Sequence, residues 1–316
     1  MIHRGIAAVC VFSLIVACGQ TTPSGVDATE SANSKVETEA AAQEAPAGPS
    51  LGTDETVRLD FAWTTEGFSN PEGVAAAADG TFFVSNVAGG GTDKDGEGWI
   101  SKVGRDGEII EAKWAEGLDA PKGMTVWNGL LYVADIDTVR IFNAETGSLE
   151  RSITVEGAKF LNDVTVWDDA IFISDSQNAH VLRLQGSDFQ IWLEDSRLGG
   201  VNGLLGDGDD DGDQMIISTM SDGNLLSVNK EKTITGIATG MTDGDGIALV
   251  DGGYLVSAWR GEIYFVSEDG EITSLLNTRD DGILQNDLTR IDDMVLVPNW
   301  EPSTLTGWRL TMPESP

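Results

Sequence analysis

The stretch "FLNDVTVWDDAIFISDSQ", residues 160–177, has a near copy forty residues upstream, "APKGMTVWNGLLYVADID", residues 120–137. The copies align without a gap, Trp167 on Trp127 and Asp175 on Asp135, yet one matched position holds Asn162 in one and Lys122 in the other. Four further stretches share the frame: "SNPEGVAAAADGTFFVSN" (69–86), "GVNGLLGDGDDDGDQMIIST" (200–219), "GDGIALVDGGYLVSA" (244–258) and "QNDLTRIDDMVLVPN" (285–299). Each unit has a polar residue, then Gly or Asp, a short apolar strand, a turn, and a second strand with a small or polar end. The matched polar residues are Glu72, Lys122, Asn162, Asn202, Asp245 and Asn286, at spacings of 50, 40, 40, 43 and 41. In the same register, Gly67, Gly117, Gly157 and Gly240 stand five residues before four of them.

A period near forty built from strands predicts propeller blades, because one such sheet cannot bury its faces alone and copies must stack around an axis. The composition agrees: 38 glycines supply turns, and helical periodicity is scarce. Third and fourth strands are legible after each pair, as in "VRIFNAETG" and "EIIEAKWAEG". The strand "TVRLDFAWTTEG" (56–67) precedes the first unit, whereas the last unit stops after "STLTGWRL". The expected fold is therefore all-β, a six-bladed propeller over residues 56–311 closed by its N-terminal strand, with 312–316 a tail.

Upstream, Arg4 and the apolar run Ile6–Ala17 are too short for a permanent span and read as a secretory signal, residues 1–17. "LIVAC" resembles a bacterial lipobox, which makes Cys18 the expected lipidated residue. Gly19 after it points to an outer-membrane anchor facing the periplasm. Residues 18–55 lack aromatics and carry seven acids against one Lys, so they read as a disordered tether. Cys10 leaves with the signal, and no disulfide is expected. The net charge of −33 argues against nucleic acid, and an acidic surface repels anionic lipid, leaving the anchor as the membrane contact. A monomer is expected.

In a propeller the first strand of each blade lines the axis, so the six polar positions converge on one funnel. The second strand returns to the same face, which adds Asn86, Asp135, Asp175, Thr219 and Asn299 as an expected rim, with Trp259 and Trp300 beside it. Carboxylates at Glu72 and Asp245 with amide oxygens at Asn162 and Asn202 suit one hard divalent cation, Ca²⁺, Mg²⁺ or Mn²⁺, and Zn²⁺ less naturally. His180, on a third strand, is expected to be structural, and no Ser/His/Asp or Cys/His constellation can be assembled. "GDGDDDGD" (206–213) mimics the first half of a calcium loop but has Ser218 at its twelfth position, so it reads as a solvated hairpin. Trp127 and Trp167 read as packing between blades.

The pattern resembles the gluconolactonase/regucalcin-like propellers, which bind one divalent ion at the axis and open sugar lactones. That resemblance implies metal ligands at Glu72, Asn202 and Asp245, with Asn162 nearby. It implies a metal-dependent hydrolase of lactone-type esters. In a mechanism written on this sequence's own residues, Asp245, or a carboxylate beside it, would take the proton of an attacking water, and Lys122 or the rim Asn residues would steady the oxyanion. Asn162, Asn286, Asp135, Asp175, Trp259 and Trp300 would then contact a lactone or sugar-acid substrate. Two departures stand out. Phe160 occupies the place of the family's substrate-binding Arg. An ammonium at Lys122, ~5 Å from a divalent ion, would be repelled by about 7 kcal/mol at an effective dielectric near 20. Lys122 must turn outward, grip a lactone oxygen, or replace the metal by pairing with Glu72 and Asp245; the last would leave a non-catalytic propeller binding a small molecule or a partner protein.

Overall fold

The computed structural model describes residues 56–207 and 214–313. The expectations for the signal, Cys18, the tether and most of the acidic turn lie outside the described residues.

Six antiparallel sheets follow one another along the chain. Blade one runs Pro71–Ala76, Phe82–Asn86, Gly98–Val103 and Ile109–Leu118; blade two runs Pro121–Trp127, Leu130–Asp135, Thr138–Asn143 and Leu149–Thr154. Blade three occupies 161–194, blade four 201–239 and blade five 244–277. Blade six combines Leu284–Gln285 and Thr289–Ile291 with Met294–Glu301, Thr304–Thr311 and the N-terminal Arg58–Thr65. That last strand pairs with Thr304–Thr311 from Arg58↔Thr311 to Thr65↔Leu305, which closes the ring. The fold is the expected six-bladed β-propeller, and the described residues contain no α-helix.

The apolar cores lie between blades. Trp167, Phe172 and Trp192 of blade three meet Leu204, Met215 and Leu226 of blade four, while Phe82 and Val84 of blade one meet Leu296 and Leu305 of blade six. Trp167 stacks edge-on with Trp192 at 5.6 Å, and Trp127 is half-buried against the core between blades two and three. Both tryptophans thus pack between blades, and burial of such rings supplies the force that stacks the sheets.

At the start of every innermost strand the ladder slips. Pro71 pairs with Asn86 but Val74 with Val84; Leu161 pairs with Asp175 but Val164 with Ile173. One extra residue sits in each of the first five inner strands as a bulge, and in blade six the strand is interrupted there. The bulged residues are the axial polar residue and the small one after it. A Cβ on Gly73 would lie 2.7 Å from Lys122 O, and one on Gly203 2.2 Å from Asp245 O, so glycine lets successive inner strands touch. The bulge N–H, without a ladder partner, donates to a serine on the second strand: Gly73 N to Ser85 Oγ (2.7 Å), Asp163 N to Ser174 Oγ (2.9 Å), Gly203 N to Ser218 Oγ (3.0 Å), Gly246 N to Ser257 Oγ (2.9 Å). Ahead of the bulges, Gly67, Gly117, Gly157 and Gly240 all have φ between +79° and +106°, which explains their recurrence in the repeat.

Candidate functional site

The bulges bring Glu72, Lys122, Asn162, Asn202, Asp245 and Asn286 from six blades to one cavity of about 280 Å³. Each keeps between 1% and 7% of its surface exposed. Phe160, Met220, Trp259 and Trp300 wall the cavity, with Gly91 at its edge. The convergence expected of these residues is met, including Asn162, Asn286, Trp259 and Trp300.

Lys122 turns away from the carboxylates. Its Nζ donates to Gly91 O (2.9 Å) and Ala120 O (3.2 Å) and stands 4.7 Å from the centre of the Phe160 ring. Among the described residues its ammonium forms no ion pair within 4.0 Å, so it does not replace a metal by clasping Glu72 and Asp245. Burial pulls its pKa down, while Glu72, Asp135 and Asp245 push it back up.

The centre is rich in acceptors. Asn286 Nδ2 donates to Pro71 O at 2.7 Å; a carbonyl can only accept, so the amide oxygen is the atom left over. Asn162 Nδ2 faces Ser176 Oγ at 3.2 Å, and the Asn202 side chain acts to lower the Asp245 carboxyl against the larger effect of burial. Two oxygens of the cavity-lining side chains, Glu72 Oε2 and Asn202 Oδ1, are buried with no hydrogen-bond partner among the described residues. Burial raises Glu72 well above the usual carboxylate range, helped by Asp245 and opposed by Lys122. Burial and the Asp163 carboxylate push Asp245 up to about 8. An acceptor-lined site that strains to hold its negative charge fits a cation with oxygen ligands. Among the described residues no three His, Cys, Asp or Glu side chains come together as metal ligands; the fitting set mixes two carboxylates with amides.

Two further acids went unnoticed in the sequence. Asp163 and Asp287 occupy the bulge position that is glycine in the other four blades. Asp163 accepts from Val164 N and Leu204 N, both at 2.7 Å, so it links blade three to blade four. Asp287 accepts from Leu288 N at 2.7 Å. Burial raises Asp163 to about 7 and Asp287 well above the ordinary range, with Asp163, Asp245 and Glu72 adding to the effect on Asp287. Repulsion among acids of blades one, three, five and six marks all four as neighbours about the axis. The signal was legible: the residue after the axial one reads Gly, Gly, Asp, Gly, Gly, Asp around the ring.

Asp135 and Asp175 are a correction. They do not line the cavity, and at 0% and 1% exposure their oxygens are already occupied. Asp135 accepts from Asp119 N, Ala120 N and Arg140 Nε, and Asp175 from Lys159 N, Phe160 N and Asn178 Nδ2. The other expected rim residues are similarly engaged, Asn86 with Ser69 N and Ser101 Oγ, Thr219 with Asn224 N, Asn299 with Thr304 and Thr306. These strand ends fasten the segment that enters each blade. His180 lies outside the cavity, its Nε2 3.8 Å from Glu194 Oε2.

No protein-family model and no curated protein matches the chain. Solved structures do. A gluconolactonase from Xanthomonas campestris superposes with a TM-score of 0.59 at 18% identity, covering 85% of this chain and 99% of its own. The likeness is one of fold. A catalytically inactive virginiamycin B lyase from Staphylococcus aureus, bound to quinupristin, gives 0.58 at 15% identity over 81% and 100% of the two chains. An aldose sugar dehydrogenase from Streptomyces coelicolor in its PQQ-bound form gives 0.59 at 12% over 82% and 100%. At such identities these propellers share the architecture with this chain and leave its chemistry to be argued from its own axis.

Proposed function

We propose that the protein is a divalent-cation-dependent hydrolase of lactone-type esters acting in the axial cavity. One observation carries the reading: Glu72 Oε2 and Asn202 Oδ1 are buried without a partner among the described residues, and both side chains line the cavity together with Asp245. A buried acceptor without a partner costs about 1–3 kcal/mol, more when charged, so two lining one cavity favour an electropositive ligand there. Glu72, Asn202 and Asp245 would hold the ion, with Asn162 beside them. When bound, a divalent cation supplies a Lewis acid for an ester carbonyl and acidifies a water.

The chain's own groups divide the remaining work. Asp245, a carboxylate lining the cavity beside the ion's place, is positioned to take the proton of an attacking water. Two of the three Lys122 donors are committed to Gly91 O and Ala120 O, which leaves one for a developing oxyanion at the wall. Trp259 and Trp300 exclude water from one side of the cavity. The sugar-lactone opening attributed to the gluconolactonase neighbour is consistent with this chemistry. We further propose that Cys18 anchors the propeller to the outer membrane facing the periplasm, so that the substrate is an envelope or external metabolite.

Elemental analysis with lactone hydrolysis tests the proposal. Purified protein is expected to hold one equivalent of a divalent ion, and Glu72→Gln and Asn202→Ala are expected to lose both the ion and turnover. A cation-loaded wild type that hydrolyses no member of a lactone panel above background sinks the reading.

A further inference from the structure

The polar groups of the cavity lie on its floor, while its wall is apolar. Phe160, Met220, Trp259 and Trp300 come from four consecutive blades, and each is half-buried. Three of them share one repeat position, the residue directly after the strand-end sites Thr219, Ala258 and Asn299. Blades one and two place Val87 and Ile136 there, buried with Ala120, and Trp300 packs against that group. Five of six blades therefore put an apolar side chain at this level, above a ring of polar ones.

A polyhydroxylated ligand would find few partners on this wall. Asp135 and Asp175 are committed to backbone N–H groups, and Ser176 Oγ donates to Val201 O at 2.6 Å. The Lys122 ammonium rests on two carbonyls and on Phe160, and its one remaining donor is taken by the reacting carbonyl oxygen in the hydrolase reading. The indoles of Trp259 and Trp300 meet at 5.6 Å with planes 64° apart, a cleft rather than the flat shelf on which a sugar ring stacks. The cavity has the volume of roughly nine waters, enough for a small ring with a short substituent.

We infer that the substrate is a lactone bearing an alkyl or aryl substituent rather than a sugar lactone, and that Phe160, Met220, Trp259 and Trp300 select it. This inference rests on the hydrolase reading for its chemistry and on the wall alone for its specificity. Each hydroxyl facing the wall without a partner should weaken binding about tenfold, whereas each added methylene should tighten it about fourfold until the cavity is full.

The experiment pairs turnover with binding on the full chain loaded with Mn²⁺ or Ca²⁺. Five-membered lactones with progressively longer alkyl substituents are compared with gluconolactone by kcat/KM. The matching lactams, which keep the ring and chain but resist hydrolysis, are titrated through quenching of tryptophan fluorescence. The expected result is a length-dependent rise in both series, with gluconolactone far behind. Phe160→Arg is expected to shift the alkyl-to-sugar ratio by tenfold or more towards the sugar, and Met220→Ser to lower it without introducing a charge. Length-dependent lactam binding with no turnover of any lactone overturns the hydrolase reading and keeps the apolar specificity. Turnover with no length dependence, or with gluconolactone preferred, overturns the apolar specificity and keeps the hydrolase. Absence of both binding and turnover overturns the two together.

Discussion

With divalent ions removed, the propeller should lose stability as pH rises from about 4 to about 8. Asp163 and Asp245 are raised from 3.8 to about 7 and about 8. A carboxyl whose folded pKa lies above its unfolded one binds its proton more tightly in the native state. Its stabilising contribution is fully present below the unfolded pKa and is lost as pH climbs through the folded value. Each such group lowers stability by about 1.4 kcal/mol per pH unit across that window, or roughly 4 kcal/mol for Asp163 alone. Domains of ordinary stability hold about 5–15 kcal/mol in total, so the effect is large. The assay is urea unfolding of chelator-treated protein at several pH values, repeated with saturating Ca²⁺ or Mn²⁺. Because general repulsion in a chain of net charge −33 has the same sign, Asp163→Asn is the control that isolates the axis. The variant's amide nitrogen faces one of the two N–H groups that Asp163 accepts, so it should lie below wild type near pH 5 yet lose less stability than wild type between pH 5 and pH 8, and the added ion should flatten the wild-type slope. A chelated wild type whose stability is level or rising over this range, or an Asp163→Asn slope equal to the wild-type slope, would refute the reasoning.

Three other outcomes follow from the same contacts. Asp135→Ala strands Asp119 N and Ala120 N and leaves Arg140 only its longer contacts to Asp119 and Ser152, so it should lower stability by about 2–4 kcal/mol in urea unfolding; a stable variant with a raised KM would restore Asp135 to the substrate site. A Cβ on Gly246 would lie 2.0 Å from Asp287 Oδ1 and 2.4 Å from Leu288 N, whereas one on Gly252 meets nothing within 4 Å. Gly246→Ala should therefore prevent soluble folding, while Gly252→Ala, strained only by its φ of +74°, should shift the urea midpoint by about 1 kcal/mol. Lys122→Met removes a cation that holds the Glu72 carboxyl down, and calorimetric titration should find divalent-ion affinity raised roughly tenfold, about 1.4 kcal/mol; weaker binding would mean that the ammonium organises the site.

How far the sequence discloses this site depends on separating what the repeat holds constant from what it varies. The ring, its closure and the six axial residues were legible, because a forty-residue period with one missing outer strand at each end admits few arrangements. That same logic argued against Asp135 and Asp175. Acids or amides recur at that register as Asn86, Asp135, Asp175 and Asn299, and a feature shared by most blades belongs to the scaffold, here to fasten backbone N–H groups. Conversely, Asp163 and Asp287 break a run of glycines, which is the mark of a residue with its own task. The direction of Lys122 was beyond spacing alone, since it depends on where a carbonyl from another blade falls. Yet the interval from Glu72 to Lys122 is 50 residues where the others are 40 to 43. The surplus sits in "VAGGGTDKDGE", residues 87–97, and it is Gly91 of that insertion whose carbonyl draws the ammonium away from the axis. A lengthened blade beside a charged axial residue is thus a physical reason to expect that the charge is satisfied by the insertion, and the axis left open for a cation.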